Sequence, residues 1–295
     1  MKTQTVNISI PDSLLDAADK QAEREHRNRS ELFRETLRYY LTEKGTLAYQ
    51  ESFSVSETKR VSEITNFEGF IERRIIVLSC VFRPQPNKAI DLFSGSSEIT
   101  KLIENPPVFR HSGWDLQTLD RAKPIAGEYM QVANGDRKVI RVFRDGQILA
   151  AGEEGFFGHG VNKDMEPEEG YAFNGLAVAE FITNFVNFSK KISEHLDITP
   201  SGFIFKIRLL NPKKEKIIVK LVRRDGFPFP DSSREIYLDL ADREVVINLE
   251  EEFKLEKIAY LLLSEFFYFF GLRNDEFWYV NKETKEIDLD FFKEK

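Results

Sequence analysis

The sequence predicts an α+β protein in two parts, a small β-α-α head that closes its core only as an intertwined dimer, and a larger α+β body. Three observations carry this. Residues 3–10 (TQTVNISI) alternate apolar and short polar side chains, the period of a half-buried strand. Two amphipathic helical stretches follow within the first 44 residues. Beyond them, β-prone runs and helical runs intermingle to the end of the 295-residue chain, a length that suggests two domains.

In the predicted strand Val6, Ile8 and Ile10 form one face and Thr5, Asn7 and Ser9 the other. Pro11 stands at the strand-to-helix junction, where a missing N–H does little harm and a fixed φ suits a helix start. The first helix places Leu14, Leu15, Ala18 and Ala22 on one stripe and breaks at His26-Arg27-Asn28. Asn28 and Glu31 then form an N-cap and N3 pair. They open a second helix whose inner face is Leu32, Phe33, Thr36, Leu37, Tyr40 and Leu41.

One strand and two helices of this length cannot exclude water from their apolar faces, and chains below about 40 residues usually need an oligomer or a staple. Two copies solve the problem by pairing their strands antiparallel and interlocking their helices. Val6, Ile8, Ile10, Leu32, Phe33 and Leu37 then form the dimer core. Thr5, Asn7 and Ser9 are presented twice on a two-stranded ribbon, which fits the major groove of B-DNA, where such side chains reach base edges.

The strand TVNISIP, the helix SLLDAADKQAERE and the run NRSELFRETLRYYL together resemble the ribbon-helix-helix (CopG/Arc/MetJ-like) DNA-binding family over residues 3–43. The resemblance implies an obligate dimer that reads double-stranded DNA through Thr5, Asn7 and Ser9. It also implies phosphate anchoring at Asn28, Arg29 and Ser30, where unpaired backbone N–H groups and the helix dipole independently favour an anion. The outward strand face has no Lys or Arg between Thr3 and Ile10. Thr, Asn and Ser make weaker base contacts than a bidentate arginine, so affinity should depend on several bound dimers.

Charge confines this activity to the head. Residues 1–44 hold eight Lys/Arg and eight Asp/Glu, whereas the whole chain carries a net charge of −7. An acidic body is poorly suited to wrapping a phosphate backbone. No apolar run approaches the ~20 residues of a membrane span, and no secretory leader is expected ahead of a polar strand. A lone Cys80 excludes an internal disulfide and any multi-cysteine zinc site, which makes a reducing cytoplasm, at the nucleoid, the default location.

The head (1–44) gives way to a Ser/Thr/Glu-rich connector (45–66) and then the body (67–295). Ile75–Phe82 is apolar on both faces and reads as a central strand, with Cys80 a small buried hydrophobe. Residues 87–104 are helical in parts, and 108–114 are extended. Val139–Ala150 is a hairpin turning at Asp145-Gly146. Gly152–Gly160 is glycine-rich but lacks P-loop spacing and reads as a turn. Residues 170–196 contain one long helix with Phe173, Leu176, Phe181, Ile182, Phe185, Phe188, Ile192 and Leu196 on its apolar face. Strands are expected at 202–210, 216–222 and 235–240, the last paired with 244–249, and a helix over 250–270 ends at Gly271. The stretch NPPVFRHSGWDLQTL, with residues 139–152, loosely resembles an uncharacterised bacterial domain found after Schlafen-type AlbA modules. That implies a portable partner or sensor domain and no known chemistry.

No catalytic or metal site is legible in the body. His26, His111, His159 and His195 form no i, i+4 ligand pair, and Asp239, Asp242 and Glu244 lack the lysine of a nuclease motif. The expected function is therefore a non-enzymatic, cofactor-free DNA-binding regulator of bacterial or archaeal type. It would bind an inverted repeat as a homodimer or higher oligomer, with a small ligand or a protein partner at the body. The alternatives are a DNA-targeted nuclease or defence effector, and an antitoxin-type interaction protein.

Overall fold

A computed structural model describes residues 12–24, 29, 59–67, 70–86, 89–93, 97–110, 113–118, 120–135, 137–159, 161, 171–197, 199–212, 216–222, 228–236, 243–249, 253–273 and 279–292. The chain divides into two compact units, Met1–Ser62 and Glu63–Lys295. In the first, helix α1 runs over Asp12–Arg24. Leu15 and Ala18 are half-buried and Ala22 is buried, while Asp16, Lys20 and Gln21 are exposed, the one-sided stripe that the sequence spacing demands. The predicted ribbon, the second helix beyond Arg29 and the dimer core lie outside the described residues.

The second unit is built on a seven-stranded antiparallel sheet. Its strands are β1 (Ile75–Arg83), β2 (Lys123–Ile125), β3 (Tyr129–Asn134), β4 (Lys138–Phe143), β5 (Ile148–Glu153), β7 (Gly202–Leu210) and β10 (Arg243–Leu249), in the spatial order β10-β7-β1-β5-β4-β3-β2. Strand β1 is flanked on both sides, with Leu78 opposite Ile207 of β7 and Ala150 of β5, which accounts for its apolar character on both faces. Ile76, Leu78, Cys80 and Phe82 face the main core, and Ile75, Val77 and Val81 are buried on the other side. Burial in hydrocarbon pushes the Cys80 thiol's pKa well up, so it behaves as an apolar filler.

Helix α2 (Glu98–Glu104) and the single turn α3 (Glu154–Phe157) lead to strand β6 (Tyr171–Asn174), which runs straight into helix α4 (Gly175–Ser193). Strand β6 pairs parallel with β8 (Ile217–Val222), and β8 pairs antiparallel with β9 (Pro228–Ile236), forming a second sheet. Helix α4 packs against β1, β8 and helix α5 (Leu255–Tyr268), so it is buried nearly all round rather than amphipathic. A small hairpin, β11 (Val280–Asn281) with β12 (Glu286–Ile287), packs on α5.

Two expectations are corrected. Phe173 lies on β6, because Asn174 caps the helix by accepting from the Leu176 and Ala177 amides at 3.0 and 3.3 Å, and Leu196 lies beyond α4, which ends at Ser193 with Glu194 as its C-cap. Residues 243–249 pair with β7 rather than with the strand before them, so a local hairpin signal yields to the larger sheet. Strands β2 and β3 form a hairpin that the sequence did not announce. The helix expected over 250–270 is present as the shorter α5, Leu255–Tyr268, with Gly271 just past its end at φ 64°.

Candidate nucleic-acid interface and a buried polar network

Of the six residues expected to touch DNA, Arg29 is the one the structure describes; Thr5, Asn7, Ser9, Asn28 and Ser30 lie outside the described residues. Arg29 Nε donates to Asp19 Oδ1 and Nη2 to Asp19 Oδ2, a bidentate pair with α1. The two side chains are 46% and 40% exposed, so the pair is screened by solvent and salt. Hydrogen bonding to Asp19 pushes the guanidinium's pKa further up. Arg29 is therefore a permanent cation, held against α1 by the Asp19 carboxylate.

The body holds a polar network that sequence reasoning missed. Helix α4 reads GLAVAEFITNFV, and Glu180 is the lone carboxylate in that apolar run. It is 2% exposed, a placement that requires partners. They come from the loop before β2: Arg110 Nη2 lies 2.5 Å from Glu180 Oε1, and the Trp114 amide donates to Oε2 at 2.8 Å. Gly113 permits this approach, since a Cβ there would stand 2.5 Å from Glu180 Oε2. The Trp114 indole donates to the Phe156 carbonyl at 3.1 Å, and Arg110 lies over the indole ring. Burial raises the Glu180 pKa, opposed by Arg110 and by the Trp114 amide.

Lys138 on β4 continues the network. Its ammonium donates to the Asp115 and Gln117 carbonyls at 2.8 and 2.5 Å and lies 3.3 Å from Asp115 Oδ1, beneath the Phe156 ring. Burial lowers its pKa and Asp115 partly restores it. The segment NPPVFRHSGWDLQTL is thus clamped at two buried charges, one on α4 and one on β4. The network holds this loop against the body.

The glycine-rich stretch ending at Gly160 has a different content from a phosphate cradle. Glu153 caps α3, accepting from the Gly155 and Phe156 amides at 2.8 and 2.9 Å, so the protein's own carboxylate occupies those donors. Glu154 pairs with Arg74 at 2.5 Å, and the Tyr171 hydroxyl donates to the Glu154 carbonyl. His159 and His195 are both exposed, and His111 lies outside the described residues. Asp239 and Asp242 also lie outside them, and Glu244 is on β10. Among the described residues no group of three His, Cys, Asp or Glu side chains is placed to hold a metal. No helix among them is long and apolar enough to cross a membrane.

Residues 4–44 match the family model described as ribbon-helix-helix protein, copG family. The N-terminal segment is thus of the ribbon-helix-helix type, ahead of a mixed α+β body. Neither the curated proteins nor the solved structures contain a match to the chain.

Proposed function

We propose that this chain is a sequence-specific DNA-binding regulator that acts as a dimer. Two copies pair the strands that begin at Thr3, and the ribbon enters the major groove with Thr5, Asn7 and Ser9 against base edges. Val6, Ile8, Ile10, Leu32, Phe33 and Leu37 close the shared core. Asn28, Arg29 and Ser30 anchor flanking phosphates, Arg29 exchanging Asp19 for a phosphate oxygen. The two-fold symmetry of such a dimer calls for an inverted repeat in the DNA. The body adds no enzymatic step; it senses a small ligand, binds a protein or stacks dimers along the DNA.

The match of residues 4–44 to the ribbon-helix-helix model carries this reading. The net charge of −7, set against a neutral head, supports confining DNA contact to the head. Selection of binding sites from random duplex DNA, at one fixed ionic strength, tests it. The expected result is enrichment of a short inverted repeat by the full chain. A final pool with no motif above the starting library overturns it.

A further inference from the structure

We infer that the second unit binds a small organic molecule with an apolar body and a single acidic group, in a cleft between the start of β1 and the end of β7. The cleft has a volume of about 430 Å³, within the range of small-molecule sites. Phe70, Ile75 and Leu210 form its buried apolar floor, and Ile71 stands at the mouth 58% exposed. A large aliphatic side chain held in water beside an apolar floor is a surface that gains by being covered.

Arg73 supplies the specificity. Its Nη1 donates to Glu153 Oε2 at 3.2 Å, and the same carboxylate is fixed by the Gly155 and Phe156 amides. Glu153 is 2% exposed, whereas the Arg73 side chain remains 44% exposed at the cleft. A guanidinium has five N–H donors, and Nη1 holds the anchor, so a planar edge stays available to a carboxylate or sulfonate. Glu72, between Ile71 and Arg73, has φ 58°, a left-handed conformation that L side chains rarely adopt and that collects at ligand sites. Glu72 itself lines the cleft, and an acidic residue there disfavours a polyanion and selects one acidic group over a nucleotide triphosphate or nucleic acid.

The regulatory meaning of this site rests on the DNA-binding reading above, but binding itself is measured without DNA, so the two fail separately. The test is fluorescence titration of the full chain with 1-anilinonaphthalene-8-sulfonate, two apolar ring systems bearing one sulfonate. N-phenyl-1-naphthylamine, the same rings without the sulfonate, serves as the neutral probe. Saturable one-site binding is expected, at least tenfold tighter for the sulfonate than for the neutral probe. Arg73→Ala should weaken the sulfonate at least tenfold, and Arg73→Lys should restore part of the loss. Ile71→Asp, at an exposed position that folding does not need, should weaken it to a similar extent. Equal affinity for the two probes, or unchanged sulfonate binding in Ile71→Asp, overturns the inference.

Discussion

Glu180 sits among Leu176, Ala177, Ala179 and Phe181 on a helix with almost no exposed surface, and its ionisation is opposed by that burial. Its folded pKa lies above the ordinary carboxylate value of about 4.3. Between the ordinary and the raised value the folded state holds more protons than the unfolded one, so this group's contribution to stability falls as pH rises through that window and is flat above it. Glu180→Gln removes the titration and keeps an acceptor for the Trp114 amide. The melting temperature of Glu180→Gln relative to wild type should therefore rise with pH from about 4 and then level off. Thermal melts across a pH series check this, and a constant difference would contradict it. A carboxylate inside GLAVAEFITNFV is a visible anomaly in the sequence. Its partner was not visible: Arg110 lies seventy residues earlier in a loop, and ion pairing across such a separation leaves no periodic trace.

Elements were legible in proportion to how local their cause is. Strand β1 declared itself through an unbroken apolar run, and β4–β5 through Asp145-Gly146, whose glycine takes φ 89°. The β2–β3 hairpin was hidden because its turn uses Ala126-Gly127, at φ 50° and 71°, with the Glu128 amide donating to the Ile125 carbonyl at 3.0 Å. That is the geometry of a turn that normally advertises itself with Asn-Gly or Asp-Gly. Strand β6 was absorbed into the helix because Phe173 falls in phase with the apolar stripe that follows; only the Asn174 cap separates them. The pairing of β10 with β7 depends on an alignment across 30 or more residues and has no local signature. The strained alanine gives a test at this scale. Ala126→Gly should stabilise the chain by about 0.5–1 kcal/mol, since it removes a left-handed Cβ penalty that outweighs the added freedom of the unfolded chain. Chemical denaturation measures it, and a destabilisation would show that the turn is not held in this conformation.

At the scale of the whole molecule, the chain joins a 41-residue segment matching the ribbon-helix-helix model to a body of unrelated pattern. The ribbon-helix-helix match was legible because the cues for it, strand alternation, Pro11, the helix stripe and the Asn28-Arg29-Ser30 run, are local in the sequence. The body's clamped loop and its cleft were not, because contacts of Glu180 and Lys138 and a cleft assembled from 65–75 and 210–212 exist only after folding. DNA binding by the head is the central functional proposal. Its most direct test compares the full chain with Asn7→Ala on the selected inverted repeat and on a scrambled duplex of equal length, at one salt concentration. The wild type should prefer the repeat by a factor on the order of 10³ or more. Asn7→Ala, which removes the base contact proposed for both half-sites, should lose at least tenfold on the repeat and almost nothing on the scrambled duplex. Equal binding of the wild type to both duplexes, or an Asn7→Ala variant that still discriminates fully, would contradict the account.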